Sequence, residues 1–324
     1  MPSGSRYPGV QPGGTLLPQS HMPTSQPKVK PRLANKKGRR TIAWPITDPH
    51  GGYRFGLMRP GIELEAMDEK EDCFIPKATA FQKVIWKHYL SDIEYVKKLA
   101  AGDDIVLFLL GDLIQGTILR DGMLVTPRLE DQFAIIEDAL EPILSLPNLK
   151  RVYLCKGTGA HTMKHGSSEL RMARHIRKVY GIPATAYYHV RLNLRGVEFD
   201  LAHHGAGTGI WRWISGDQIR RYTRDVMFGD LLAGRKPPQI LLRGHYHDRW
   251  IETVRIYVNG TLHRADAAVC PGYSLFTDDY TMKATKSKPY MTVGTLPIEI
   301  VNGRVGEIHD RAHTIQVFRR EVFS

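Results

Sequence analysis

Five short apolar runs constrain this chain more than any other feature: "TIAWPI" (41–46), "DDIVLFLLGD" (103–112), "KRVYLCKG" (150–157), "VEFDLAHH" (197–204) and "PQILLRGH" (238–245). Each is too short for a free helix, and all but the fourth lack the alternation of a half-exposed strand, so those four read as strands buried in a sheet. Between the early runs lie stretches with apolar residues at helical spacing. "ATAFQKVIWKHYLSDIEYVKKLA" carries Phe81, Val84, Ile85, Tyr89, Ile93 and Val96, and "RLEDQFAIIEDALEPILSL" repeats the pattern. "SSELRMARHIRKVY" opens on a serine cap. Strand, helix, strand, helix in this order predicts βαβ units and a largely parallel sheet.

The second half reads differently. "YYHVRLNL" and "VEFDLAHH" alternate around an Arg-Gly turn, and "DQIRRYTRDVMFGDLLAG" is a helix with Asp217 as its cap and Gly234 as its stop. Two hairpins with Asn-Gly turns follow, "WIETVRIYVNGTLHRADAAV" and "LPIEIVNGRVGEIH". The fold class is therefore α/β, with two packed mixed sheets covered by helices in one domain, residues 41–324. Residues 51–77 are expected to form a long irregular loop on the rim of a site.

The chemically capable residues sit where the apolar runs end. Asp48 and His50 follow the first run, Asp112 the second and "GTGAH" (157–161) the third; His203 and His204 close the fourth, and His245 and His247 follow the fifth. Ligand sites of α/β sheets lie beyond the carboxyl ends of strands. Taken singly, Asp112 is a turn residue and any one histidine an ordinary surface or core histidine. Five strand ends each carrying a metal-competent group make a different case. Carboxylate and imidazole donors without cysteine suit Mn²⁺, Fe or Zn²⁺, while Mg²⁺ prefers fewer histidines. An aspartate on a central strand end can bridge two cations about 3.5–4 Å apart. The "HTMKH" spacing of His161 and His165 lacks the glutamate of a zinc-protease helix, and "HRADAAVCPG" reads as structural.

Charge is unevenly placed. The net charge is +12, yet residues 1–40 carry eight basic residues and no acid, leaving 37 basic against 33 acidic residues elsewhere. This Pro-, Gly- and Ser-rich segment is expected to be a disordered tail. It serves either as a solvated arm or as a contact to DNA or RNA through counterion release. Three scattered cysteines without a CxxC motif indicate a reducing, cytoplasmic setting. No run reaches the roughly 18 apolar residues of a membrane span, and the first residues lack a signal-peptide core.

In order, "DPH" (48–50), "GDLIQG" (111–116), "GTGAH" (157–161), "HHG" (203–205) and "GHYH" (244–247) resemble the calcineurin-like metallophosphoesterase superfamily. They look most like its phage and prophage members, which carry a similar glycine-threonine loop, a "GSSE"-type stretch and a paired histidine. The resemblance implies a four-layer αββα sandwich, its second sheet completed by the C-terminal hairpins, and a centre of two divalent ions, Mn first, with Fe, Zn or Mg as alternatives. Asp48, His50 and His247 would hold one ion, and Asp112 would bridge. His245 and one of His203 or His204 would hold the other, and His161 would be the general acid. The asparagine that the family usually supplies from this loop is absent; only Thr158 and backbone stand there. Gln115 stands where relatives often have an acid or histidine, and is at most a supporting residue.

The activity implied is phosphate-ester hydrolysis by a hydroxide bridging the ions, first of all a phosphodiesterase or nuclease acting on nucleic acid in the cytoplasm (the host's, if phage-encoded). The alternatives are a phosphomonoesterase for small or protein-bound esters and an idle scaffold that binds DNA or a partner. Thr158 and Arg243 are candidates to touch substrate, Arg243 either as a phosphate clamp or as a buried strand-end ion pair. Trp211, Trp213 and Trp250 could stack on bases or simply pack. The oligomeric state is not legible.

Overall fold

All five apolar runs form strands. The computed structural model describes residues 40–66, 73–118, 121–161, 167–206, 216–276 and 289–317. The elements in the first half are β1 (Thr41–Ile46), the two-residue strands β2 (Leu64–Glu65) and β3 (Cys73–Phe74), α1 (Ala80–Ala100), β4 (Asp104–Leu109), α2 (Leu129–Leu144), β5 (Leu149–Cys155), α3 (Ser168–His175) and β6 (Ala184–Tyr187). The second half supplies β7 (His189–Leu194), β8 (Val197–Ala202), α4 (Asp217–Leu232), β9 (Ile240–Arg243), β10 (Trp250–Val258), β11 (Thr261–Val269), β12 (Tyr290–Thr295), β13 (Ile298–Val301), β14 (Arg304–Ile308) and β15 (Arg311–Gln316).

Two large sheets result. One has the order β14-β13-β1-β4-β5-β6, the other β10-β11-β9-β8-β7. In the first, β1, β4, β5 and β6 run parallel, as the βαβ reading requires. Strand alternation then divides the side chains. Ile105, Leu107 and Leu109 of β4 join the core beneath the helices, with Ile85, Tyr89 and Val96 of α1, Phe133 and Ile136 of α2 and Met172 of α3. Phe108 points the other way and meets Phe199 of β8 at a ring distance of 5.4 Å, so the sheets pack face to face. On the second sheet, Ile219 and Met227 of α4 pack against Leu241, Val254, Ala265 and Ala267. The order of layers is helix, sheet, sheet, helix.

The local signals explain the element ends. Thr79 and Gln82 form a reciprocal capping box on α1, and Ser167 caps α3 by accepting from the Leu170 N–H. The hairpins turn at Arg195-Gly196, Asn259-Gly260 and Asn302-Gly303, all at positive φ. Four expectations need correcting. Gly216 rather than Asp217 is the cap of α4, because a Cβ there would lie 2.0 Å from Trp250 Nε1; Asp217 instead pairs with Arg221 in the first turn. Only the β10–β11 hairpin completes the second sheet; β13–β14 joins the first through antiparallel pairing with β1. The loop after β1 is anchored, not merely a rim, since Met58, Ile62 and Leu64 bury themselves against Ile135. Arg40, assigned to the tail, belongs to the fold through Asp103 (2.9 Å) and Glu299 (2.8 Å). The rest of the basic segment lies outside the described residues.

A buried ion pair fixes the second sheet where it matters. Asp200 of β8 is fully buried and receives Arg243 Nη2 of β9 at 2.6 Å, Arg191 Nε at 2.8 Å and His189 Nε2 at 2.9 Å. Burial works against ionisation of Asp200, but His189 and Arg243 overcome it and hold the carboxyl below its ordinary range. Asp200→Asn leaves the Arg243 guanidinium buried without its counter-charge and should cost about 3–5 kcal/mol in denaturant unfolding at neutral pH. A folded-state pKa below the unfolded value means stabilisation above about pH 4 and its loss as pH falls further. The gap between wild type and variant should therefore narrow in acid; a constant gap would contradict the electrostatic origin.

Candidate metal centre

The ends of β1 and β4 stay zipped beyond the strands. Asp48 N–H donates to Gly111 O (3.1 Å), His50 N–H to Asp112 O (3.1 Å) and Gly51 N–H to Leu113 O (2.9 Å). The two loops therefore carry Asp48, His50 and Asp112 to one place. From the facing sheet, Gly244 N–H donates to His203 O (3.1 Å), which brings the ends of β8 and β9 together. His245 N–H then crosses between sheets to Asp48 Oδ2 at 2.9 Å.

Backbone conformation is unusual at this point. Asp48, His50, Asp112, His245 and His247 all have positive φ, between 45° and 72°. Aspartate and histidine tolerate the left-handed region better than most residues, yet five in one cluster is a concentration of strain of the sort found at functional sites. Two glycines have no substitute here. A Cβ on Gly157 would lie 2.0 Å from Asp112 Oδ1, and one on Gly244 2.1 Å from Thr47 Oγ1.

The side chains converge. Four overlapping triads have donor atoms within 4.8 Å of one another: Asp48–His50–His247, His50–Asp112–His161, Asp48–Asp112–His203 and His203–His204–His245. Asp48 Oδ1 is 3.3 Å from His247 Nε2 and 3.7 Å from His50 Nε2, and Asp112 Oδ2 is 3.0 Å from His203 Nε2. His50 is fully buried, and neither of its ring nitrogens nor Asp48 Oδ1 has a hydrogen-bond partner. Leaving buried polar atoms unpaired is costly. A divalent cation is the partner that suits unpaired imidazole nitrogen and carboxylate oxygen together, so the residues present fit the ions that the resemblance implies.

Hydrogen bonds around the cluster select which nitrogen faces inward. Carbonyl oxygens only accept, so Nδ1 of His203 donates to Leu110 O (2.6 Å) and Nδ1 of His161 to Gln115 O (2.8 Å). Ser274 Oγ donates to Asp48 O (2.9 Å) and so accepts from His247 Nδ1 (3.1 Å). In all three rings Nε2 is the nitrogen turned to the cluster, the arrangement of ligating histidines generally. Electrostatics follow the geometry. Burial opposes ionisation of Asp48 and Asp112, but the neighbouring histidines, His247 then His203 for Asp48 and His203 for Asp112, hold both carboxyls below the usual range. Burial also pulls on His203, yet Asp48 and Asp112 raise it to about 9. Burial lowers His161 to about 4 with help from His50, and lowers His247 to about 3.

Every proposed metal ligand thus reaches the cluster. Of the pair left open, His203 is buried against Asp112, and His204 is exposed with its ring 4.4 Å from His245. Thr158 lies deep in the cluster beside Asp112, with its N–H on Asp112 Oδ1 at 2.6 Å. Arg243 does not reach the cluster as a clamp: both terminal nitrogens are spent on Asp200, Leu242 O and Tyr222, and the residue is 1% exposed. The ion-pair reading of Arg243 is the one observed. Gln115 is buried, and its amide has no hydrogen-bond partner. Trp250 packs on the α4 core and donates to Glu252. Trp211, Trp213 and His165 lie outside the described residues. Sequence reasoning missed Ser274, Thr47, whose hydroxyl bonds Asp48 Oδ2, and the carbonyl of Leu110. No motif marks them, because backbone carbonyls and lone hydroxyls have no sequence signature.

No protein-family model and no curated protein matches the chain. Among solved structures, an archaeal phosphodiesterase is similar at 10% identity and a TM-score of 0.33, covering 80% of this chain and 99% of its own. A predicted phosphoesterase from Streptococcus pneumoniae is similar at 12% identity and 0.29, covering 86% and 98%. A protein of unknown function from Aquifex aeolicus is similar at 15% identity and 0.31, covering 64% and 80%. These likenesses are distant, and the residue assignments rest on the geometry above.

Ser274→Ala frees the His247 ring and should weaken retention of the first ion by about 10–100-fold. Metal content after dialysis against a graded chelator measures it, with circular dichroism showing an intact fold. Unchanged retention would remove Ser274 from the centre.

Proposed function

We propose that the protein is a metal-dependent phosphoesterase, and within that class a phosphodiesterase or nuclease acting on nucleic acid. The observation that carries this reading is the convergence of Asp48, His50, Asp112, His203, His245 and His247 from both sheets on one buried cluster. Asp48, His50 and His247 would hold one ion; His203 and His245 would hold the second, with Asp112 shared. Bound divalent cations, Mn²⁺ first, would supply Lewis-acid stabilisation of the phosphoryl oxygens and a water of lowered pKa. The chain itself does the rest. Asp48 and Asp112 stay ionised at neutral pH because the histidines around them favour the carboxylate. His161 is held by Gln115 O through Nδ1, so Nε2 is the atom that would pass a proton to the departing oxygen; because burial lowers the free ring to about 4, that proton has to be taken up with the anionic substrate in place. Its ring stands edge-on to His50 at 4.5 Å, which keeps it at the cluster.

The preference for a nucleic-acid diester rests on charge. Seven of the eight basic residues in 1–40 precede Arg40, which the fold itself uses. A cationic arm on the same chain as a phosphoryl-transfer site suits a polyanion. The three thiols are free, which fits a reducing cytoplasmic setting.

Protein stripped of metal and resupplied with Mn²⁺ is expected to turn over bis-p-nitrophenyl phosphate and single-stranded DNA in preference to p-nitrophenyl phosphate. Asp112→Asn should remove about 10²-fold or more of that rate. Preference for the monoester would establish the phosphomonoesterase instead. No metal-dependent turnover of any of the three, in wild type and variant alike, would leave the scaffold. Deleting residues 1–39 should weaken single-stranded DNA binding and flatten its log–log salt dependence by about 0.7 for each phosphate the arm no longer neutralises; an unchanged slope would clear the arm of any role.

A further inference from the structure

Thr158 sits where a ligand belongs. Its Oγ1 is 3.0 Å from Asp112 Oδ2, 3.3 Å from His203 Nε2 and 3.4 Å from His245 Nδ1. Asp112 Oδ2 and His203 Nε2 are themselves 3.0 Å apart. A hydroxyl has one proton and two lone pairs, so hydrogen bonds alone satisfy it only if it donates to Asp112 Oδ2 while His203 Nε2 and His245 Nδ1 both carry a proton and donate to it, protons that two metal-ligating nitrogens would not have. Donor atoms about 2.0–2.2 Å from a cation stand roughly 3.0–3.5 Å from one another at angles between octahedral and tetrahedral. The four separations observed have the length of such edges, with Thr158 Oγ1 common to three of them.

We infer that the Thr158 hydroxyl is a direct ligand of the second cation, completing a set with Asp112, His203 and His245. This rests on the paired-ion reading above and names a residue that reading left without a metal role. Three features hold the hydroxyl in place. The Thr158 N–H is bound to Asp112 Oδ1 at 2.6 Å, which draws the backbone in far enough for a short side chain to reach. Gly157 permits that approach, since any Cβ there would collide with Asp112. A β-branched side chain is stiff about χ1, so little freedom is lost when the oxygen binds. Because Thr158 supplies a fourth donor from inside the cluster, exposed His204 is not required for the second ion and stays free at the mouth, its ring 4.7 Å from His203.

The test counts ions instead of turnover. Metal-stripped full-length protein is titrated with Mn²⁺ by equilibrium dialysis, bound metal is measured by elemental analysis, and a coupled ion pair is monitored by electron paramagnetic resonance. Wild type should bind two equivalents. Thr158→Val, which keeps the shape and removes the oxygen, should retain the first equivalent, weaken the second at least tenfold and lose the coupled signal. Thr158→Ser should keep both equivalents, and so should His204→Ala. A Thr158→Val protein that binds both ions with wild-type affinity overturns the inference. So does a Thr158→Ser protein as deficient as Thr158→Val, since the lost group would then be the methyl. If His204→Ala loses the second ion while Thr158→Val keeps it, the imidazole is the ligand and the hydroxyl is not. Wild type binding fewer than two equivalents overturns the paired-ion reading itself, a result distinct from the others.

Discussion

Two buried carboxylates set the terms for the rest of this structure. Asp48 and Asp112 stand on adjacent parallel strands, at most 2% exposed, in an interior where unpaired negative charge is very expensive. Around them stand imidazoles from both sheets, together with the Thr47 and Thr158 hydroxyls and the Thr158 and His245 N–H groups. Each neighbour is in turn held through its other nitrogen or its backbone by a carbonyl, a hydroxyl or a strand pairing. The arrangement is a nest of nitrogen and oxygen donors around two fixed charges, and the His50 ring nitrogens and Asp48 Oδ1 are left in it without a hydrogen-bond partner. An architecture whose purpose was packing would have placed leucine there.

The sandwich and the centre are one construction. Sheet one supplies Asp48, His50, Asp112 and, through its β5 loop, Thr158; sheet two supplies His203, His245 and His247. The bond from His245 N–H to Asp48 Oδ2 joins them directly. Behind it, Phe108 against Phe199 fixes the separation of the sheets, and the Asp200–Arg243 pair locks β8 to β9 one residue before the Gly-His-Tyr-His turn. Arg243 therefore affects the centre from a distance, by setting where the next four residues begin. The left-handed backbone at five positions of the cluster costs energy that the core must offset. The fully buried apolar strands on either side supply that margin.

Much of this is legible in the chain. Strand ends and ligands share a pattern because a buried parallel strand is apolar to its last residue, so an aspartate or histidine directly after it stands out against "VLFLL" or "ILLR". Helix caps at Thr79 and Ser167 and the three glycine-containing turns are readable from local chemistry. What the sequence does not carry is tertiary. Nothing local distinguishes the Asn302-Gly303 hairpin, which joins sheet one, from the Asn259-Gly260 hairpin, which joins sheet two. Asp217 looks like a cap because it is one residue type among several that cap; the crowding by Trp250 that demands Gly216 comes from a strand far along the chain. Arg243 beside the histidines suggests a phosphate clamp, yet Asp200 lies on the neighbouring strand and takes it.

Ser274 and Thr158 show the limit most clearly. Both are single hydroxyls in glycine-containing loops; Thr158 falls within "GTGAH" and Ser274 in no motif, and spacing reveals the contacts of neither. Their importance comes from distance: one oxygen lies between Asp48 O and His247, the other among Asp112, His203 and His245. Each supports the cluster from a different sheet junction, Ser274 where the chain leaves β11 and Thr158 where it leaves β5. A centre of this kind is thus specified twice. Conspicuous aspartates and histidines give it charge and nitrogen, and inconspicuous hydroxyls and glycines hold those donors within a few tenths of an ångström of where a cation can use them.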